Sequence, residues 1–277
     1  MKRCSYLLTA LLSLFLLWSQ TAASAAPLAS PKTVSGPNYA GYSWHPTKGF
    51  VVWATSLWNV PKIDCDKAPN GNDARHARVA VWVGIWGGPN TNKALKDAWL
   101  PQVGTISNCQ ISKSVTPSYT AVAQMEHFGG CNVPGDAGCM PQTLSLQVRP
   151  EDLMNSQIAY EGAGTGIHAG EYKFAYVIID ERTGKSSSGV LYTAHAVLRS
   201  DVAYQGGAIV EDQDGYGNSL ALFPTPIAII AEAGGSDKET YTTSPTYLWN
   251  MVVSGNQLAR TGPFKNHIFT VTWKHWD

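Results

Sequence analysis

From Asn38 onward the chain alternates short apolar stretches, rich in β-branched and aromatic residues, with clusters of Gly, Pro, Asn, Asp and Ser. Such runs predict strands: an extended backbone sends successive side chains to opposite faces, and branched and aromatic ones pack well on a pleated surface. Gly49–Trp58, Arg78–Ile85, Ser118–His127, Thr143–Val148, Gly170–Asp180, Ala208–Asp212, Pro226–Glu232 and Ile268–Trp273 read as strands. The run Arg78–Ile85 is apolar on both faces, as in a fully buried strand. Glu181–Gly184 and Gln213–Gly217 read as turns, and Pro61–His76 as a polar loop. Few segments carry a helical period, and neither an internal repeat nor a mid-chain linker interrupts the text. The pattern predicts one all-β domain, a sandwich or barrel, over residues 38–277.

The first residues differ in kind. Lys2 and Arg3 precede an apolar run from Tyr6 to Trp18 and the small residues Ala23-Ser24-Ala25. A basic start, a short apolar core and a small-x-small site predict a signal peptide over 1–25, the run being short for a bilayer span. Residues 26–37 are Ser/Pro-rich and read as a flexible lead-in. Export to periplasm or medium is therefore expected. Without Lys2 and Arg3, 18 basic residues face 20 acidic ones, a net charge of −2 with no basic stripe. That balance argues against nucleic acid and anionic membranes as partners, and a monomer is expected. Charged residues make up only 14% of the chain, and Gly, Ser, Thr, Trp and Tyr take their place, which suits twisted sheets with many turns.

Cys65, Cys109, Cys131 and Cys139 remain after the predicted cleavage, an even number that reads as two disulfides in an exported chain. Four cysteines allow three pairings. Cys131–Cys139, closing a short Gly/Pro-rich loop, is preferred, with Cys65–Cys109 as its complement. No C-x-x-C pair occurs, and the histidines (His45, His76, His127, His168, His195, His267 and His275) are scattered, so neither a metal nor another cofactor is expected. Zinc-protease, nucleophile-elbow, P-loop and dinucleotide motifs are missing. Glu211–Asn218 faintly resembles a calcium loop, but Phe223 stands where the closing glutamate is needed.

Several segments, in order, resemble the eqolisin (glutamic peptidase) family. Asn38-Tyr39-Ala40-Gly41-Tyr42 is similar to its opening Asn-Trp-Ala-Gly, and Val81–Gly87 to its Trp-Val-Gly-Ile-Asp-Gly strand. Pro101–Thr105 resembles Gln-x-Gly-Thr, Ser118-Tyr119 opens a segment like Ser-Tyr-x-Ala-Trp-Trp-Glu-Met, and Asp180–Gly184 resembles Asp-x-Thr-x-Gly. Ile209-Val210-Glu211-Asp212 matches the end of the family's Ala-Glu-Trp-Ile-Val-Glu strand, and Phe269–Trp273 fits its last strand. The resemblance implies an antiparallel β-sandwich of two large sheets. It also implies a cleft on the concave sheet, where a Gln/Glu pair hydrolyses peptide bonds. In that chemistry a carboxylate takes a proton from the attacking water and the glutamine N–H donates to the oxyanion.

This chain keeps half of that pair. Gln102 lies on the family's catalytic glutamine, but Gly207 occupies the position of its glutamate. Trp86 replaces the aspartate of Ile-Asp-Gly, and Gln124 replaces the glutamate of Trp-Trp-Glu-Met. Losing the general base removes a contribution of about 10²–10⁴-fold. Glu126 shares a face with Gln124, and Glu211 with Gly207, but Glu211 is roughly 13 Å further along the strand; both are expected to be solvated or rim carboxylates. Gln102 and Gly207 are thus the catalytic positions, and Trp82, Trp86, Gln124 and Glu126 the candidate peptide-binding residues. The expected function is binding of a peptide or protein ligand in the cleft, with hydrolysis lost or impaired. Two alternatives stand beside it: an acid endopeptidase with a displaced carboxylate, and a carbohydrate-binding sandwich.

Overall fold

The alternation read along the sequence becomes an alternation of burial. In the computed structural model, which describes residues 30–46, 49–66, 77–87, 98–111, 115–127, 140–193, 203–212, 220–236 and 245–274, nearly every element is a strand. One hydrogen-bonded path runs through β10 (Lys185–Tyr192), β9 (Tyr172–Asp180), β8 (Leu153–Ala163), β3 (Val51–Asn59), β12 (Ile227–Gly235) and β15 (Ile268–Trp273). It continues through β14 (Asn256–Thr261), β13 (Tyr247–Val253), β2 (Tyr39–Trp44), β11 (Gln205–Glu211), β4 (Arg78–Trp86), β5 (Trp99–Ile111), β6 (Val115–His127) and β7 (Gln142–Gln147). All neighbours along this path are antiparallel. The sheet folds back on itself and nearly closes, so its two halves pack face to face as the sandwich that the family resemblance implied.

One face of each half forms the main core. Val79, Val81, Val83 and Ile85 of β4, Ala121, Ala123 and Met125 of β6, and Ala208 and Val210 of β11 meet Ala54 and Trp58 of β3, Ile158 of β8, and Phe174 and Ile178 of β9. The Trp58 indole N–H crosses this core to donate to Thr105 Oγ1 at 3.1 Å, satisfying a buried donor. With the odd-numbered residues of β4 turned inward, period-2 geometry turns the even-numbered ones to the opposite, concave face.

Cys65 and Cys109 are disulfide-bonded across a sequence separation of 44, worth about 4 kcal/mol on the loop-entropy account. Cys131, Cys139, the predicted signal peptide and the turn at Gln213–Gly217 lie outside the described residues. No helix among the described residues is long and apolar enough to cross a membrane. At Lys32–Gly36 the structure departs from the expected lead-in: these residues form β1, paired in parallel with β13. Val34 was the only β-branched apolar residue marking that segment, and its partner strand lies over two hundred residues away, out of reach of any local pattern.

The predicted turn at Glu181–Gly184 is present between β9 and β10, with Gly184 at φ 67°, a left-handed conformation that glycine adopts without strain. Asp180 organises it: Oδ1 accepts the Arg182 N–H at 3.0 Å, and Oδ2 accepts the Thr183 hydroxyl at 2.6 Å. The Arg182 guanidinium reaches back to Asp152, with Nε donating to Oδ1 at 2.6 Å and Nη2 to Oδ2 at 3.2 Å.

Candidate functional site

The concave face is built by register. Gly207 on β11 pairs with Ser43 on β2 and with Gly84 on β4, Gly84 pairs with Gln102 on β5, and Gln102 with Gln124 on β6. These five residues form a row across the strands. Glu126 is two residues beyond Gln124 and opposite Leu100, on the same face. On the other side of the row lie Ile209, Trp82, Gly104 and Val122, again in register.

Gln102 is the centre of a polar group. Its Nε2 donates to Gln124 Oε1 at 3.2 Å and to Glu126 Oε2 at 3.1 Å. An amide nitrogen has two protons, and both are committed. Its Oε1 is buried and makes no hydrogen bond. Gln102 is 1% exposed and Gln124 7%, whereas Glu126 is half-buried. Glu126 is therefore not a freely solvated carboxylate, although its half-burial fits the rim position that the sequence suggested. Burial raises its pKa, and the Gln102 hydrogen bond opposes that rise by favouring the charged form.

Glu211 is not solvated either. It is 5% exposed, and its pKa is pushed up to about 8, first by burial and then by the Glu126 charge. Tyr39, opposite it on β2, is raised well above its ordinary value by burial and by the charges of Glu211 and Glu126. The Trp82 indole approaches the Glu211 carboxyl closely enough to favour its ionised form, yet its N–H is not in hydrogen-bonding geometry.

Trp82 is wholly buried in a small second apolar cluster with Ala80, Val122 and Ile209, flanked by Tyr39 and Ile106. It belongs to the concave face but packs as a core residue. Trp86 is 7% exposed and pairs with Gln205, so an apolar surface stands where the family has an acid. Gly207 offers no space for a side chain. A Cβ there would fall on the Tyr42 carbonyl oxygen and 2.9 Å from Ser43 Cα. Close approach of the β2 backbone fills the position, so a glutamate could enter only by displacing that strand. Beside it, Ser43 Oγ accepts the Trp249 indole N–H at 3.0 Å and donates to Gln205 Oε1 at 3.4 Å. Gln205 and Trp249 were not singled out in the sequence; β11 starting three residues earlier than expected would have pointed to Gln205.

The described histidines take local roles. His45 lies against Tyr204, His127 stacks on Trp99, His168 Nδ1 is 2.6 Å from Glu171 Oε2, and His267 Nδ1 is 3.3 Å from Glu232 Oε1. Among the described residues no group of three or more His, Cys, Asp or Glu is placed to hold a metal ion.

No family model and no curated protein matches the chain. Solved structures do. Scytalido-glutamic peptidase with a transition state analog inhibitor matches at 13% identity with a TM-score of 0.58. Scytalido-glutamic peptidase with a peptide-based transition state analog matches at 12% and 0.54. SCP-B, a member of the Eqolisin family of peptidases, in complex with the tripeptide Ala-Ile-His, matches at 13% and 0.55. Each match covers 86% of this chain and 98% of the other. At such identities the agreement lies in the path of the backbone, and it extends over most of both molecules: this chain has the eqolisin-like fold of the glutamic peptidases.

Proposed function

We propose that this protein is an exported peptide-binding protein, holding a peptide or protein segment on the concave face, with the Gln/Glu hydrolysis of its structural relatives lost or strongly impaired. The observation that carries this reading is the commitment of both Gln102 amide protons, to Gln124 and to Glu126. An oxyanion donor has to be free when negative charge develops; here it is occupied from within. The backbone packing at Gly207 acts in the same direction, since the usual base position has neither a side chain nor room for one. Solved structures of the same fold bind a peptide-based analog and a tripeptide, which supports a peptide as the ligand class.

One observation favours the acid-peptidase alternative. A carboxylate does lie 3.1 Å from Gln102, supplied by β6 instead of β11. In that reading Glu126 takes the proton of a water as it attacks the scissile carbon, and Gln102 turns its N–H to the oxyanion. A base works only when ionised, so its raised pKa would move the onset of activity towards neutral pH. The carbohydrate alternative has less behind it: the exposed large apolar residues among those described are Met140, Ile167, Val190, Ile230 and Ile268, none of them aromatic.

Incubation of the disulfide-intact protein with denatured casein from pH 2 to 7, beside Gln102→Ala and Glu126→Gln, tests these readings. No cleavage is expected from any of the three. Cleavage by the wild type that both variants lose would replace the binding reading with a Gln102–Glu126 peptidase.

A further inference from the structure

The acceptors around Gln102 are not balanced by donors. Glu126 receives one hydrogen bond from Gln102, and among the described residues no Lys, Arg or His is in ion-pair contact with it. Gln102 Oε1, one amide width away from the nitrogen that holds Glu126, is a second acceptor, buried and unpaired in a residue 1% exposed. The amide has no alternative orientation while Glu126 is ionised. Turning the oxygen towards the carboxylate would set two acceptors against each other, so Oε1 stays without a donor. Among the described residues, the titratable groups that feel the Glu126 charge are Glu211 on β11 and Tyr39 on β2. Both are acids, and neither supplies a positive charge.

An ionised carboxylate beside an orphan carbonyl is complementary to a group that carries several donors, no acceptor and a positive charge. Lysine, arginine and a free peptide amino terminus are the peptide groups of that kind. We propose that Glu126 and Gln102 Oε1 form a subsite for a cationic donor group of the bound peptide, an ammonium or a guanidinium. Glu126, the half-buried member, meets the ligand first; Gln102 Oε1 takes a second proton from the same cation. The subsite rests on the peptide-binding reading and sharpens it to basic peptides. It also accounts for an acid without an ion-pair partner among the described residues, kept next to Leu100.

The test uses one peptide sequence, acetylated and amidated, with Lys, Arg, Gln or norleucine at a single position, plus the norleucine peptide with its amino terminus free. Affinities for the mature protein at pH 7 are measured by fluorescence anisotropy. At least one cationic peptide should bind tighter than blocked norleucine by on the order of 30-fold, the scale for a desolvated charge pair. The free-terminus peptide tells a terminal ammonium from a side chain. In Glu126→Gln, shown to be folded by its near-UV dichroism, the preference should vanish. In Gln102→Leu, which removes the second acceptor and the hydrogen bond that favours the charged form of Glu126, it should shrink in part. Equal affinities across the wild-type series, or a preference that survives in Glu126→Gln, would overturn the subsite while leaving peptide binding intact. A folded wild type that binds none of the peptides would remove the peptide-binding reading, and the subsite with it.

Discussion

At the β9–β10 turn, Asp152 and Asp180 are buried beside Arg182; on the concave face, Glu211 is buried and Glu126 half-buried, each near the other acid and a tyrosine. Burial alone would raise the Asp152 pKa. The Arg182 hydrogen bonds, the Arg149 N–H and the two arginine charges outweigh it and hold the carboxyl below its ordinary value. At Glu211 burial and the Glu126 and Asp212 charges outweigh the help of the Trp82 and Tyr39 side chains, and its pKa is pushed up to about 8. Both regions remove carboxylates from water, a costly step unless they are paired. At the turn the chain supplies its own guanidinium and the acid becomes a structural clamp. On the concave face no cation among the described residues offsets the burial of Glu126 and Glu211, which is the arrangement that the proposed ligand subsite rests on.

The comparison breaks first on pH. Glu211 has a folded pKa of about 8 against an ordinary 4.5, so the folded state holds a proton that the unfolded state has released. Its contribution is full below pH 4.5 and is lost as pH rises through 8, at about 1.4 kcal/mol per unit, on the order of 3–5 kcal/mol in all. Urea unfolding from pH 4 to 9 should show this decline in the wild type and a flatter profile in Glu211→Gln. A flat wild-type profile would mean that Glu211 is compensated and the two regions are alike. Next is Asp180→Ala, which strips the acceptor from the Arg182 N–H and the Thr183 hydroxyl. It should lower stability by about 2 kcal/mol at neutral pH, with peptide binding unchanged; a loss of binding would undo the division between structural and ligand-directed acids. The smallest effect is expected from Gln102→Ala. Stability should fall by about 1 kcal/mol, and the Glu126 titration, followed by carboxyl NMR, should move further upward because the bond favouring its charged form is gone.

Much of the fold could be read in the sequence. Arg78–Ile85 and Ser118–His127 announced strands, and Asp180–Gly184 its turn. The site was half legible. Period 2 places Gln124 and Glu126 on one face, but not the contact between Glu126 and Gln102, because cross-strand distance is not a property of one strand. The apolar cluster that buries Trp82 exists only once β4, β6 and β11 are adjacent, so a single strand cannot tell a cleft tryptophan from a packed one. The Asp152–Arg182 clamp joins residues 30 apart, with no periodicity to reveal it.

By itself the sequence marked β3, β4, β6, β7, β9, β11, β12 and β15 as strands, the face that each of their side chains takes, and the lack of a base at position 207, since these follow from local periodicity and identity; β1, β2, β5, β8, β10, β13 and β14 it left unmarked. Tertiary structure decided the rest: that β6 brings a carboxylate to Gln102, that the β2 backbone closes the space at Gly207, and that Glu211 is buried within reach of the Glu126 charge. Each of these depends on register, twist and the approach of strands distant in the chain. A local pattern specifies which face a residue occupies, but only the folded sheet fixes what lies across from it.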